Sequence, residues 1–88
     1  MTETMGLQPG LRVLVTAGAS GIGRATADAF SAAGARLHVC DISQTALDDC
    51  RTEHPGWGFS LCDVSSQTQV QTLFNDVKNT LGGLDVLI

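Results

Sequence analysis

Apolar and polar positions follow two periods along the chain, and each change of period marks an element. Arg12-Val-Leu-Val-Thr16 is a short apolar run that stops at a glycine-rich stretch from Ala17 to Gly23. That pairing predicts a buried strand running into a tight turn. From Ile22, apolar residues recur at Ala25, Ala29, Phe30 and Ala33, which is helical spacing, and Gly34 stands where a helix ends in a left-handed residue. Arg36-Leu-His-Val-Cys-Asp41 predicts a second strand. A second helix is expected from Ser43 to about Glu53, entered through Asp41 or Ser43 as caps and stopped near Pro55-Gly56. Trp57-Gly-Phe-Ser-Leu-Cys62 predicts a third strand. Val70, Leu73, Phe74, Val77 and Leu81 form the clearest helical stripe, with Ser66-x-x-Gln69 as a capping box before it and Gly82-Gly83 after it. Leu84-Asp-Val-Leu-Ile88 opens a fourth strand.

Strands alternating with helices in this way predict an α/β fold of βαβ units on a parallel sheet. Right-handed crossovers make it a Rossmann-type, doubly wound three-layer sandwich, here reaching the start of its fourth strand. No repeat, low-complexity tract or linker interrupts it. The expected organisation is a polar leader over residues 1–10 and one partial Rossmann-type domain over residues 11–88.

Composition narrows the function classes. At 88 residues the chain is shorter than an average domain of ~150, which excludes a two-lobed enzyme with a separate substrate domain. Five Lys and Arg against nine Asp and Glu give a net charge of −4, and no basic stripe is available for nucleic acid. No apolar run approaches the ~20 residues that span a bilayer, and the opening MTETMGLQPG lacks a signal-peptide core. Cys40, Cys50 and Cys62 are odd in number, widely spaced and without a C-x-x-C pair. They are expected to be reduced structural thiols, and the chain is expected to be cytoplasmic.

The candidate chemistry lies in the first strand-to-helix turn, Thr16-Ala-Gly-Ala-Ser-Gly-Ile-Gly23. Glycines let a backbone approach a pyrophosphate closely, and the helix that follows aims its unpaired N–H groups and positive end at the anion. A phosphate loop of the Lys-Ser/Thr type is excluded, because neither pair follows. Asp41 ends the second strand 18 residues after Gly23, where such folds place an acid that accepts from the adenosine ribose hydroxyls. The same residue could instead cap the next helix. Asp63, after the third strand, could cap the helix that Ser65 and Ser66 introduce. His38 lies inside a strand and His54 in a turn, neither with a carboxylate or thiol at ligand spacing, so no metal or catalytic role is expected for them. Asp48, Asp49 and Glu53 read as a solvated helix face, and Asp76 and Lys78 as surface charges.

The loop resembles the T-G-x-x-x-G-I-G loop of the short-chain dehydrogenase/reductase family. Thr16, Gly21, Ile22 and Gly23 match, while Ala17 stands where the family usually has its first glycine. An alanine fits there if that position keeps φ below zero, with Gly18 relieving the turn. The resemblance implies that Thr16, Gly18, Ser20, Gly21, Ile22 and Gly23 surround the pyrophosphate, that Asp41 holds the ribose, and that Asp63 and Val64 hold the adenine. It implies NAD as cofactor, a small alcohol or carbonyl substrate, and a homo-oligomeric parent. Asp41 points to NAD over NADP: no Arg or Lys lies beside it, and Ser20 stands where NADP-using relatives often carry a basic residue.

The chemistry of that family does not follow in these residues. Its fourth strand continues into Asn-Asn-Ala-Gly, and a catalytic Ser and a Tyr-x-x-x-Lys pair come later. This sequence has no Tyr, and its only Lys is Lys78. The expectation is therefore the N-terminal, cofactor-binding part of a longer NAD-dependent oxidoreductase, inactive by itself. Two rivals are a non-catalytic dinucleotide sensor and a fragment that folds only with a partner chain.

Overall fold

The computed structural model describes residues 9–88. Residues 1–8 of the expected leader lie outside the described residues. Seven elements follow in the expected order: β1 Arg12–Thr16, α1 Gly21–Ala32, β2 Arg36–Asp41, α2 Gln44–Glu53, β3 Gly58–Leu61, α3 Gln67–Leu81 and β4 Val86–Leu87. The four strands form one sheet in the order β3-β2-β1-β4, and every pair is parallel. β1 and β2 run in register from Arg12↔Arg36 to Thr16↔Cys40. Strand order reverses between β1 and β4, so the crevice above their carboxyl ends is where this architecture binds ligands.

Side-chain parity sorts the core into two layers. Val13, Val15, Leu37 and Val39 pack with Ala27 of α1 and with Leu47 and Cys50 of α2. Leu14 and Cys40 point the other way, into Leu73, Val77 and Leu81 of α3. Two helices therefore cover one sheet face and α3 the other. Each fully buried Leu or Val contributes roughly 1.5–3 kcal/mol, so three on α3 hold that helix on its face.

Helix ends follow their local chemistry. Gly34 (φ +91°) follows α1, left-handed as expected, and Gly82 (φ +80°) ends α3 in the same conformation. Ser43 caps α2 by accepting from the Ala46 N–H at 3.1 Å. Ser66 caps α3 by accepting from Gln69 N–H at 3.3 Å. The predicted capping box closes on one side only: the Gln69 side chain reaches past Ser66 and accepts from the Asp63 N–H at 2.8 Å.

Several expected packing roles are corrected. Ile22 and Ala25 do not join the core stripe of α1; Ile22 is 87% exposed. Phe74 is exposed as well, because the buried stripe of α3 is the narrower Leu73-Val77-Leu81 line and Phe74 falls off its edge. Trp57 precedes β3 and stacks on His54, with centroids 3.9 Å apart. His54 does find a carboxylate, Asp28 Oδ1 at 3.0 Å across from α1. Glu53 is tied to Arg24 at 2.9 Å. Arg12 grips Asp85 ahead of β4 through its backbone N–H, Nε and Nη2 at 2.9–3.0 Å, which holds the Asp85 carboxyl down to about 2.

Candidate functional site

The glycine loop is built against the end of β2. Leaving β1, the chain turns at Ala17, which takes φ +51°, the left-handed region. The expected negative φ is thus overturned: the turn needs a backbone that glycine adopts freely, and an alanine supplies it under strain. Gly18 N–H then donates to the Cys40 carbonyl at 3.1 Å, and Ala19 N–H donates to Asp41 Oδ2 at 3.2 Å. Gly18 is packed so closely that a Cβ would meet Val15 O and Val39 Cγ1 at 2.9 Å. A Cβ on Gly23 would collide with the Ala17 carbonyl oxygen. Gly21 has φ +60° with open space around it. Each of the three glycines therefore has its own physical reason, and two of the reasons are close backbone approach.

The end of α1 that this loop presents differs from the other two helix starts. Ser20 is its N-cap, extended at φ −155° and ψ 168°, and makes no side-chain cap; the first turn holds no acid. The Arg24 N–H reaches Ser20 O at 3.2 Å, so the amides of Gly21, Ile22 and Gly23 precede the first turn's closure. Ala17, Ser20, Gly21 and Ile22 are exposed, while Gly18 and Ala19 are buried beneath them. Free amides at a helix start, with no acid in the first turn, favour negative charge there.

Asp41 sits half-buried at the neighbouring strand end. Its Oδ1 accepts from Ser43 N–H at 3.1 Å, while Oδ2 holds the loop. The α2 cap is Ser43, so Asp41 is not the cap of that helix. Asp63 is exposed, and its Oδ1 accepts from both the N–H and the hydroxyl of Ser65, at 2.9 and 2.7 Å. Those bonds hold its carboxyl below the usual carboxylate range. The α3 cap is Ser66, so Asp63 is not a helix cap either. Val64 is 60% exposed, and Ile42, directly after Asp41, is 69% exposed. Ile42 was not singled out by sequence; an apolar residue just past a strand end, where a turn is due, was the available signal. Thr16 stands slightly apart, because its hydroxyl donates to the Ile88 carbonyl at 2.9 Å and pins β4 beside β1. The structure thus brings Gly18, Ser20, Gly21, Ile22, Gly23 and Asp41 together, with Asp63 and Val64 at the end of the next strand.

Sequence similarity agrees with this geometry. A family model described as short chain dehydrogenase matches residues 12–88. The chain belongs to the short chain dehydrogenase family. A tropinone reductase homolog of Arabidopsis thaliana is 43% identical, with 90% of this chain covered and 32% of the relative. Another from the same plant is 42% identical with the same coverage. Among solved structures, a short chain dehydrogenase from Mycobacterium smegmatis superposes with TM-score 0.83 at 36% identity, over 93% of this chain and 37% of that one. A hydroxysteroid dehydrogenase from Escherichia coli gives TM-score 0.83 at 29% identity, over 90% and 34%. The chain spans about a third of the length of these relatives. Dehydrogenases of this family use a nicotinamide dinucleotide, and the glycine loop at the head of α1 fits one: Gly18 and Gly23 stand where no Cβ has room, beside uncapped amides, with an acid one strand away.

Two further clusters lie elsewhere on the dehydrogenase fold. On the α3 side of β2, buried His38 places Nε2 2.7 Å from Ser60 Oγ and Nδ1 2.9 Å from Thr80 Oγ1. Ser60 Oγ in turn donates to Asp76 Oδ2 at 2.9 Å. The expectation that Asp76 is a plain surface charge is overturned, and His38 has a carboxylate within two hydrogen bonds. The order is wrong for a hydrolytic relay. The single Ser60 proton goes to the carboxylate, so His38 Nε2 donates to Ser60 Oγ, and the imidazole is not placed as a base for that hydroxyl. Burial pushes the His38 pKa down, with Asp76 opposing. The second feature is an open hollow of about 450 Å³ at the amino ends of β2 and β3, lined by Arg36, Trp57 and Thr80 among others. Its guanidinium already donates to the Leu81 and Thr80 carbonyls at 3.3 and 3.1 Å, closing the end of α3.

The three thiols are buried and free. Burial, with Cys62 adding to it, pushes Cys40 up to about 11, and burial likewise raises Cys50 and Cys62. They stay protonated and act as small apolar side chains. Among the described residues, no group of three His, Cys, Asp or Glu is placed to hold a metal, and no helix is long and apolar enough to cross a membrane.

Proposed function

We propose that this chain is the NAD-binding part of an oxidoreductase that interconverts an alcohol and a ketone or aldehyde by hydride transfer. The observation that carries the reading is the start of α1: it is left uncapped by its own side chains, behind a loop in which Gly18 and Gly23 have no room for a Cβ. Gly18, Ser20, Gly21, Ile22 and Gly23 cradle the pyrophosphate, and the helix end offers its partial positive charge. Thr16 anchors the strand from which the loop departs. Asp41 accepts from the adenosine ribose through the lone pairs its two backbone bonds leave free. Val64 and Ile42 offer apolar surface to the adenine, and Asp63 offers a carboxylate oxygen. The nicotinamide supplies the hydride when bound, and none of these residues takes part in that step.

Names among the relatives, a tropinone reductase homolog and a hydroxysteroid dehydrogenase, support carbonyl–alcohol chemistry for the parent enzyme, working as a homo-oligomer. Residues 11–88 form the binding unit behind a leader of residues 1–10. Three protonated, unpaired thiols suit a reducing compartment, the cytoplasm. With no Tyr in the sequence, the 88 residues bind cofactor without turnover.

Cofactor choice follows from charge. A 2′-phosphate about 4 Å from the Asp41 carboxylate meets repulsion of ~1 kcal/mol per unit charge in water and ~4 at an effective dielectric near 20. NAD is expected to bind tighter than NADP by about one to three orders of magnitude. Calorimetric titration with each cofactor tests this, and equal affinities would remove the assignment.

A further inference from the structure

We propose that Asp41 is also the positioning residue of the glycine loop, so that one carboxylate couples the choice of cofactor to the shape of the pyrophosphate cradle. The inference rests on the reading of the loop as a dinucleotide site.

The geometry is specific to this side chain. Asp41 Oδ2 accepts from Ala19 N–H at 3.2 Å across 22 residues of sequence, and Oδ1 accepts from Ser43 N–H at 3.1 Å. Ala19 is 1% exposed, so without Asp41 its amide has little access to water and is left without a partner. The preceding amide, Gly18 N–H, is held by the Cys40 carbonyl. The last two residues of β2 thus clamp two successive amides of the loop, immediately before Ser20 opens α1. The clamp fixes where the free amides of α1 begin.

It also fixes the carboxylate. An Asp holding one segment with each oxygen cannot swing away from an approaching 2′-phosphate without releasing the loop or the entrance to α2. Two of its roughly four lone-pair sites are taken by these amides, and the remaining ones are left for ribose hydroxyls. A substitution intended to admit NADP therefore removes repulsion and loosens the phosphate cradle in the same stroke. Asp41→Ala is expected to weaken nucleotides that have no ribose hydroxyl for it to bind.

The test uses ADP and 2′,3′-dideoxy-ADP in calorimetric titrations of the 88-residue chain and its Asp41→Ala variant, with amide hydrogen exchange at Ala19 followed by NMR. Asp41→Ala is expected to weaken dideoxy-ADP by about tenfold and ADP by more, as expected for loss of a bond to a charged acceptor. Exchange at Ala19 is expected to speed up by at least about tenfold. Unchanged dideoxy-ADP affinity alongside weakened ADP overturns the positioning role and leaves Asp41 a ribose contact alone. If the parent chain binds neither nucleotide, the dinucleotide reading fails, and the Ala19 exchange rate still decides whether Asp41 holds the loop. Should Asp41→Ala not fold, Asp41→Asn carries the comparison. Its carbonyl keeps one of the two amides, so a smaller but measurable loss for dideoxy-ADP is expected, and no loss overturns the proposal.

Discussion

The glycine loop and the seam between β2, β3 and α3 treat their polar groups in opposite ways. In the seam, His38, Ser60, Asp76, Thr80 and Arg36 bond one another or the end of a helix. Among the described residues, no buried side-chain nitrogen or oxygen is without a partner. At the loop, the first turn of α1 has no side-chain cap, one alanine is held left-handed, and an isoleucine stands in solvent. The seam satisfies its groups to hold the fold. The loop bonds its buried amides but leaves the first amides of α1 without a side-chain partner and holds one alanine under strain.

The sharpest way to break this contrast is at Gly23. A methyl group there meets the Ala17 carbonyl, a backbone atom that has no rotamer to yield. Gly23→Ala is expected to lower ADP affinity by at least about a hundredfold, because the cradle must open. Its stability cost is expected to be only ~1–3 kcal/mol, as for other overpacked sites. Calorimetric binding and a urea melt on the same sample would separate the two; unaltered affinity would show that the loop is not the phosphate cradle.

Asp76→Ala attacks the other region and should give the reverse pattern. It leaves the Ser60 hydroxyl without its carboxylate acceptor inside the fold, costing about 1–3 kcal/mol of stability, while ADP affinity stays within about twofold. A large loss of affinity with little loss of stability would erase the distinction between the two regions.

How much of this was legible in sequence depends on distance along the chain. The elements, their order and the turn between the first strand and the first helix are local patterns, and they emerge as expected. His38 looked isolated because its partners lie 22 and 42 residues away. They meet only because the parallel register sets Cys40 beside Ser60 and α3 crosses that face. Asp41 read as a ribose contact or a cap, since its bond to Ala19 spans 22 residues. Phe74 shares the helical spacing of the core stripe yet is exposed, because i, i+4 spacing cannot tell the centre of a helical stripe from its edge. The sign of φ at Ala17 was missed for another reason: residue type states a preference, and here the close approach of Gly23 overrides it.

The seam also predicts a pH dependence of its own. Burial lowers the His38 pKa from 6.5, against a smaller opposing pull from Asp76. The unfolded chain therefore takes up a proton at a pH where the folded one resists it. The stability from keeping this ring neutral is complete above about pH 6.5 and is lost as pH falls toward the folded value. The slope is at most ~1.4 kcal/mol per pH unit. Urea melts between pH 7.5 and 5, compared with those of Asp76→Asn, check it. The variant, lacking the charge that favours the imidazolium, should lose stability over a wider acid range. A flat profile for the parent chain would show that His38 titrates alike in both states.

The smallest effect concerns the strain that the loop carries and the seam does not. Ala17 is exposed and left-handed at φ +51°, a conformation that costs a side-chain-bearing residue roughly 1–2 kcal/mol. Its methyl group gains little from packing in return. Ala17→Gly removes that strain but gives the unfolded chain more freedom, worth roughly 0.5–1 kcal/mol. The net expectation is a stabilisation of about 0.5–1 kcal/mol, or a rise in Tm of about 2–8 °C for a domain of this size. ADP affinity should hold or improve slightly, since the backbone path that brings the Ala17 carbonyl against Gly23 is unchanged. A fall in Tm would mean that the alanine is at ease there, and the loop would lose its strongest claim to being the strained half of the molecule.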